Sequence, residues 1–303
     1  MLDIISVGPG EAVLLTDDAK QAMDRADAVW CAARHAVLVP PEKARPLSPL
    51  EGAIEQMRLS SDAGQRAAVL VSGDAGLYSL LEMLKRKIGG EYLRVHPGVS
   101  ALQLFAARLG VSWQDAKILS AHGRALSESA LCHAVRTHRQ TFCFLDAAHN
   151  PAWVRESLNH GGLENVRLFV GERLSYPDER TEAYDPDATY DPLCMAYIEN
   201  DAPESGLPPV GLSDEAFIRG KTPMTKRDVR ALVVSALHLK PNGVVWDIGA
   251  GTGSVSVECA RQCPLGEVYA VEMKDEALDL IRRNAERFHA LNLRVVPGRA
   301  LEV

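Results

Sequence analysis

The stretch VVWDIGAGTGSVSVECA, residues 244–260, constrains the fold more than any other part of the chain. A short apolar run ends in Asp-Ile, three glycines follow at alternate positions, and a helical pattern begins directly behind them. A strand that stops at a glycine turn and continues as a helix is the opening of a parallel α/β unit. Val244 to Ile248 therefore reads as a buried strand. Gly249, Gly251 and Gly253 read as its turn, because a missing Cβ lets the backbone reverse sharply and a ligand approach it closely. The dinucleotide fingerprint requires GxGxxG, and here its sixth position is Ser254, so that fingerprint fails. The next apolar run, VYAVEM (268–273), carries Glu272 near its end. An acid at that point can hydrogen-bond both hydroxyls of a ribose. A glycine turn with a ribose-binding acid and no pyrophosphate glycine fits S-adenosylmethionine. Asp247 and the turn Gly249, Ala250, Gly251, Thr252 and Gly253 would orient its amino-acid portion, and Glu272 its ribose. A degenerate nucleotide site and a purely structural turn are the alternatives.

The same alternation runs through the rest of the chain. Strand-like runs are LDIISV (2–7), AAVLVS (67–72), YLRVH (92–96), KILSA (117–121), TFCFL (141–145), VRLFVG (166–171) and CMAYIE (194–199). Helical patterns include 16–27, 76–88, 100–109 and 151–160. Three runs end in turns of similar chemistry: GPG at 8–10, SGDAG at 72–76 and HPGVS at 96–100. Open α/β sheets bind ligands at the carboxyl ends of their strands, so the three turns point to one site. Residues 201–213, rich in Pro, Gly and acids, read as a linker. The expected organisation is a first α/β domain over 1–200, a linker over 201–213 and a second, different α/β domain over 214–303.

Bulk properties narrow the function. The 303 residues carry a net charge of −7 and no long Lys/Arg run, which argues against a nucleic-acid backbone as the main partner. No apolar stretch approaches the length of a membrane span, and residues 1–7 read as a first strand, not a leader. Six scattered cysteines without a CxxC read as reduced, mostly buried thiols of a cytoplasmic protein. Nine histidines show no paired metal spacing, and no metal is expected.

The segment FIRGKTPMTKRDVRALVVSALHLKPNGVVWDIGAGTGSVSVECA (217–260) resembles the cobalamin-pathway methyltransferases that act on carbon 15 of a precorrin and decarboxylate its acetate arm. Residues ISVGPG, LLTDDA, VLVSGDAGLYSL, HPGVSALQLFAARLGVSWQDA, SAHGR and PDERTE are similar, in that order, to the tetrapyrrole methylases that act on carbon 5. The resemblance covers roughly residues 1–200 and the segment after the linker. It implies a two-lobed tetrapyrrole methylase fold followed by the first half of a Rossmann-like methyltransferase. Implied with it are S-adenosylmethionine as cofactor, a precorrin as substrate, and dimers formed through the N-terminal domain. It places the methyl donor against Pro9, Gly73, Asp74, Ser100 and Ala101 in the first domain. In the second domain it implies Thr225, the turn Gly249–Gly253, Glu272 and Ala300. Two departures stand out: Ala75 replaces a common Pro, and the family's GDA reads Gly298-Arg299-Ala300 here.

Substrate carboxylates call for cations, and His122, Arg124 and Lys226 with its neighbour Arg227 are the candidates, against the plainer reading of surface charges. Asp74 could instead cap helix 76–88. His96 and His149 read as structural, and PDERTE (177–182) as a solvated loop. Methyl transfer from a sulfonium needs positioning and exclusion of water more than a strong base, so no catalytic residue is singled out. Only three strands are expected between Gly243 and Val303. A methyltransferase of the second kind has about seven, as the resemblance implies. The expectation is therefore an incomplete second domain with a bare sheet edge and unmatched apolar faces. Its substrate could be a cobalt-free or a cobalt-containing precorrin. A nucleotide-linked oxidoreductase and a non-catalytic donor-binding or assembly protein are the rival readings.

Overall fold

Ile4 and Ile5 point to opposite faces of a sheet, and each heads its own core. Strands β1 (Leu2–Ser6), β2 (Ala28–Cys31), β3 (Ala44–Pro46), β4 (Ala67–Val71) and β5 (Leu93–His96) form a parallel sheet in the order β3-β2-β4-β1-β5. β4 is a continuous apolar run, buried at every position because both faces are covered, and β1 is buried at every position but Asp3. On one face Leu2, Ile4, Trp30 and Val69 pack with Ile54 and Met57 of α2 (Leu50–Asp62) and Leu84 of α3 (Leu81–Ile88). On the other, Ile5, Val7, Val29 and Leu70 pack with Ala19, Ala22 and Met23 of α1 (Asp17–Arg25). The computed structural model describes residues 1–123 and 125–299.

The chain divides into two compact units. One comprises Met1–Gln114, Phe169–Ala183 and Asp187–Met195; the other comprises Asp115–Leu168, Tyr184–Pro186 and the residues from Ala196 onward. α4 (Ala101–Leu109) follows β5 in the first unit. A second sheet runs in the order β6-β7-β10-β8-β9, with β6 (Lys117–Ser120), β7 (Gln140–Phe144), β8 (Arg167–Glu172), β9 (Arg180–Ala183) and β10 (Cys194–Glu199). α5 (Glu128–Thr137) and α6 (Pro151–His160) connect its early strands, capped by the side chains of Ser127 and Asn150. The loop expected at PDERTE is more tightly held than a solvated one. Glu179 pairs with Arg108 at 2.5 Å and accepts the Ser175 N–H at 2.7 Å, while Arg180 pairs with Glu172 at 2.9 Å and opens β9. Spacing could not show this, because the Arg108 and Glu172 partners come from elsewhere in the chain.

The second unit ends in a three-stranded parallel sheet, β11 (Val244–Ile248), β12 (Glu267–Glu272) and β13 (Leu293–Pro297), with α7 (Arg227–Ala236), α8 (Ser254–Gln262) and α9 (Asp275–Arg287). Val257, Val268, Ala270, Ile281 and Leu293 form its core. β11 is not the buried strand expected from its composition. It is an edge paired only with β12 among the described residues, and Val244, Trp246 and Ile248 are exposed along one face. Trp246 stacks on Tyr269 there, ring centroids 4.5 Å apart. The bare edge and apolar face were expected; the expectation of burial failed because an apolar run does not record what covers it.

All six cysteines are free and buried, and burial pushes the thiols of Cys132, Cys194 and Cys259 up to about 12, which makes them unreactive. Among the described residues no helix is long and apolar enough to cross a membrane.

Candidate active site

The turns at the carboxyl edge of the first sheet are tied to one another. Gly8 and Gly73, one in each turn, exchange backbone hydrogen bonds of 3.2 and 2.7 Å. The Ser6 hydroxyl accepts the Ala75 N–H at 3.0 Å, fastening the end of β1 to the turn after β4. Asp74 accepts the Gly76 N–H at 2.8 Å and, through its other oxygen, the Gly98 N–H at 3.3 Å. It therefore joins SGDAG to HPGVS. It does not cap the following helix, which begins only at Leu81. Pro9 is buried beside this junction. Gly73 has φ +66°, and the space where a Cβ would stand is open. Ser100 caps α4 in a reciprocal capping box with Gln103. Its hydroxyl and its backbone N–H are both committed to the helix, the N–H donating to Gln103 Oε1 at 2.8 Å, so what this corner presents beyond the cap is the Ala101 N–H at a helix N-terminus.

A cluster that sequence reasoning missed lies at the carboxyl ends of β2 and β4. Arg34 donates to the Ser72 hydroxyl at 2.5 Å and to His35 Nε2 at 3.2 Å, and His35 Nε2 also meets Ser72 Oγ at 2.8 Å. His35 is buried, and its Nδ1 has no hydrogen-bond partner among the described residues. Burial first, and the neighbouring Arg34 charge second, push its pKa down to about 4. Arg34 itself is exposed. The available signal was its position after a strand that ends at the ligand edge.

The second glycine turn is also built. Gly249, Gly251 and Gly253 have φ of +78°, +58° and +74°. Gly249, like Gly73, has open space where a Cβ would stand. Glu272 holds the turn: one oxygen accepts the Gly251 N–H at 3.0 Å, the other accepts Met273 and Lys274 N–H at 2.8 and 3.0 Å. Burial works to raise the Glu272 pKa, but these three backbone donors outweigh it and hold the carboxylate below its usual range. Asp247 is pushed the other way by burial, opposed in part by a 2.5 Å hydrogen bond from Ser256. Thr252 is buried, with a hydroxyl that has no partner among the described residues. The segment before α7 crosses the turn, the Pro223 carbonyl standing 3.3 Å from where a Gly251 Cβ would be.

Thr225 is held there by buried Arg230, a residue sequence reading passed over. Arg230 donates to the Thr225 carbonyl at 2.6 Å, pairs with buried Glu258 at 2.5 Å, and lies 4.6 Å over the Phe217 ring. Glu258 also accepts the Gly211 and Leu212 N–H groups, which fastens the segment after residue 200 to α8. Lys226 is exposed and 3.9 Å from Asp214, and Arg227 donates to the Gly211 carbonyl. His122 is exposed just beyond β6. His96 is buried between Asp3 and Asp18, and His149 is held by Asp146. Arg124 and Ala300 lie outside the described residues.

Two parallel sheets, each with a positive-φ glycine turn open at its carboxyl edge and a carboxylate bracing that turn, have the ligand edges of an open-sheet α/β protein. Comparison with known proteins narrows the class. Residues 1–185 match the tetrapyrrole (corrin/porphyrin) methylases, and residues 215–303 match the precorrin methyltransferase domain. The chain belongs to the tetrapyrrole methylases and is an S-adenosylmethionine-dependent methyltransferase. A precorrin-6Y C(5,15)-methyltransferase (decarboxylating) of Sinorhizobium sp is 32% identical over 313 residues, covering 99% of this chain and 74% of that protein. A cobalt-precorrin-6B C(15)-methyltransferase (decarboxylating) of Salmonella typhimurium is 47% identical over 90 residues, 29% of this chain and 47% of that protein. The chain thus spans about half the length of the latter. The crystal structure of the methyltransferase CobJ superposes with a TM-score of 0.56 at 20% identity, covering 66% of this chain and 94% of that one, a likeness of fold.

Proposed function

We propose that the chain methylates a precorrin from S-adenosylmethionine in cobalamin biosynthesis, at carbon 5 through the domain over residues 1–200. The domain from residue 214 onward is proposed to carry the carbon-15 methylation and acetate decarboxylation, with 201–213 joining the two. The observation that carries the reading is the coincidence at Gly73 and Gly249. Each is a positive-φ glycine at the carboxyl end of a parallel strand with open space over it, and each turn is braced by a carboxylate, Asp74 or Glu272.

The residues present fit the donor. In the first domain Pro9, Gly73, Asp74, Ser100 and Ala101 would hold it. In the second, Thr225, Asp247, Gly249, Ala250, Gly251, Thr252, Gly253 and Glu272 would do so, and the Thr252 hydroxyl is a buried polar group still to be satisfied. S-adenosylmethionine, when bound, supplies an already activated methyl group. The protein's part is to orient the ring carbon that attacks it and to exclude water. Precorrins carry many carboxylates, and Arg34 is placed to receive one as a forked, charge-assisted pair, with His122, Arg124 and Lys226 as further candidates. His35, neutral near pH 7, accepts from Arg34 and so aims it. Homodimerisation through the first domain and a cytoplasmic setting belong to the same proposal.

The test is incubation with labelled S-adenosylmethionine and precorrin-6Y, followed by mass and carbon-position analysis of the product. Label at carbon 5 that is lost in the Asp74→Ala variant supports the reading. Donor binding without any transfer to the precorrin would favour a non-catalytic donor-binding protein.

A further inference from the structure

Opposite the glycine turn, at the carboxyl end of α8, lies a cavity of about 300 Å³. We propose that this cavity is a binding site for an oxyanion, separate from both donor turns. Three helices bring basic groups to it: His133 and Arg136 from α5, Arg261 from the last turn of α8, and Arg287 at the end of α9. His289, just past α9, lines it as well. Among the described residues that line it, Glu204 is the only acid.

One basic residue in the last turn of a helix is ordinary, since it faces the negative end of the helix dipole. That explanation covers Arg261 or Arg287 singly, but not their convergence with Arg136 and His133 on one cavity. Arg136 is partly satisfied, donating to the Gly161 carbonyl at 2.6 Å and standing 3.7 Å from Glu204. Arg261 is not: it is half-buried and has neither a hydrogen bond nor an ion pair among the described residues. The nearby Glu258 carboxylate is already taken by Arg230. Burial, with Arg136 opposing Glu258 and Glu204, lowers the Arg261 pKa, and burial followed by Arg136 does the same to His133. A guanidinium partly removed from water, with no carboxylate in ion-pair contact among the described residues, is an unfavourable arrangement that a bound anion relieves. The cavity is too small for a tetrapyrrole and suits a tetrahedral oxyanion or the carboxylate end of a flexible arm. The ligand chemistry is therefore an oxyanion. Its source is either free phosphate or a carboxylate arm of a tetrapyrrole.

The test is a titration of the full 303-residue protein with inorganic phosphate and, separately, with uroporphyrin as a polycarboxylate tetrapyrrole, in the parent, Arg261→Gln and Glu204→Gln. S-adenosylhomocysteine binding is followed in the same samples, so failure of this site and failure of the methyl-transfer reading are distinguishable. The expected result is phosphate binding weakened about tenfold in Arg261→Gln, the usual consequence of losing a charge-assisted contact, and tightened in Glu204→Gln. The same pair of opposite shifts for uroporphyrin alone assigns the oxyanion to a substrate arm. If Arg261→Gln also loses S-adenosylhomocysteine binding, it has misfolded, and Glu204→Gln decides: tightening supports the site, no change overturns it. Absence of binding by both ligands, or affinities unmoved in both variants, overturns the proposal.

Discussion

At the scale of single residues, Gly73 and Gly249 meet the same demand. Each reverses the chain at positive φ and leaves a free surface above it, which a Cβ would both strain and fill. Asp74 is the brace of the first turn, and replacing it frees two N–H groups. Asp74→Ala is expected to weaken S-adenosylhomocysteine binding about tenfold or more, since a hydrogen bond to a charged group contributes roughly 1.5–3 kcal/mol; equilibrium dialysis checks it. His35 sets a pH dependence. In the unfolded chain it takes up a proton near 6.5, in the fold only near about 4. Between those values the unfolded state binds more protons, so stability falls as pH drops through the window and is unaffected above it. Going from pH about 7 to about 5 should cost roughly 2 kcal/mol through this residue. Guanidinium unfolding of the parent and of His35→Gln at the two pH values measures the difference, and equal losses in both would contradict it. The positive-φ glycines were legible in the sequence because a glycine's freedom is local; the brace that Asp74 makes was not, because its second partner, Gly98, lies 24 residues on. Arg34, His35 and Ser72 were not, because their contact spans 37 or 38 residues and forms only when β2 and β4 pair.

At the scale of elements, mostly apolar runs gave β1, β4 and β10 nearly to the residue, since strands buried on both faces have no alternation to misread. β2 is four residues long and has too little pattern to separate it from its surroundings. β11 failed for the opposite reason: VVWDI has the composition of a central strand and the position of an edge. Arg230 was hidden because a charge in a helical pattern reads as solvated, yet this one is fully buried with Glu258. Arg230→Met leaves that carboxylate without its counter-charge and is expected to cost about 3–5 kcal/mol. Adding Glu258→Leu should recover part of the loss, and not all of it, because the Gly211 and Leu212 N–H groups lose their acceptor. Urea unfolding followed by Trp246 fluorescence reports on this region. At α4 the Ser100 side chain serves the helix, so Ser100→Ala should lower stability by about 1 kcal/mol. Donor affinity should change little, and a large drop would mean that the hydroxyl itself reaches the ligand.

At the scale of the molecule, two parallel sheets of different strand order each present a positive-φ glycine with open space over it at their carboxyl edge. The two glycine turns were legible because each carries its signature within a few consecutive residues; the compact units were not, since one of them joins Met1–Gln114 to Phe169–Ala183 and Asp187–Met195 from further along the chain. What the second domain surrounds was not, since Val244, Trp246 and Ile248 do not encode their own cover. The central claim is that both edges bind the methyl donor, and calorimetric titration of the 303-residue protein with S-adenosylhomocysteine tests it most directly. The account predicts two sites per chain, one lost in Asp74→Ala and the other in Glu272→Ala. A stoichiometry and affinity that neither substitution alters would contradict it.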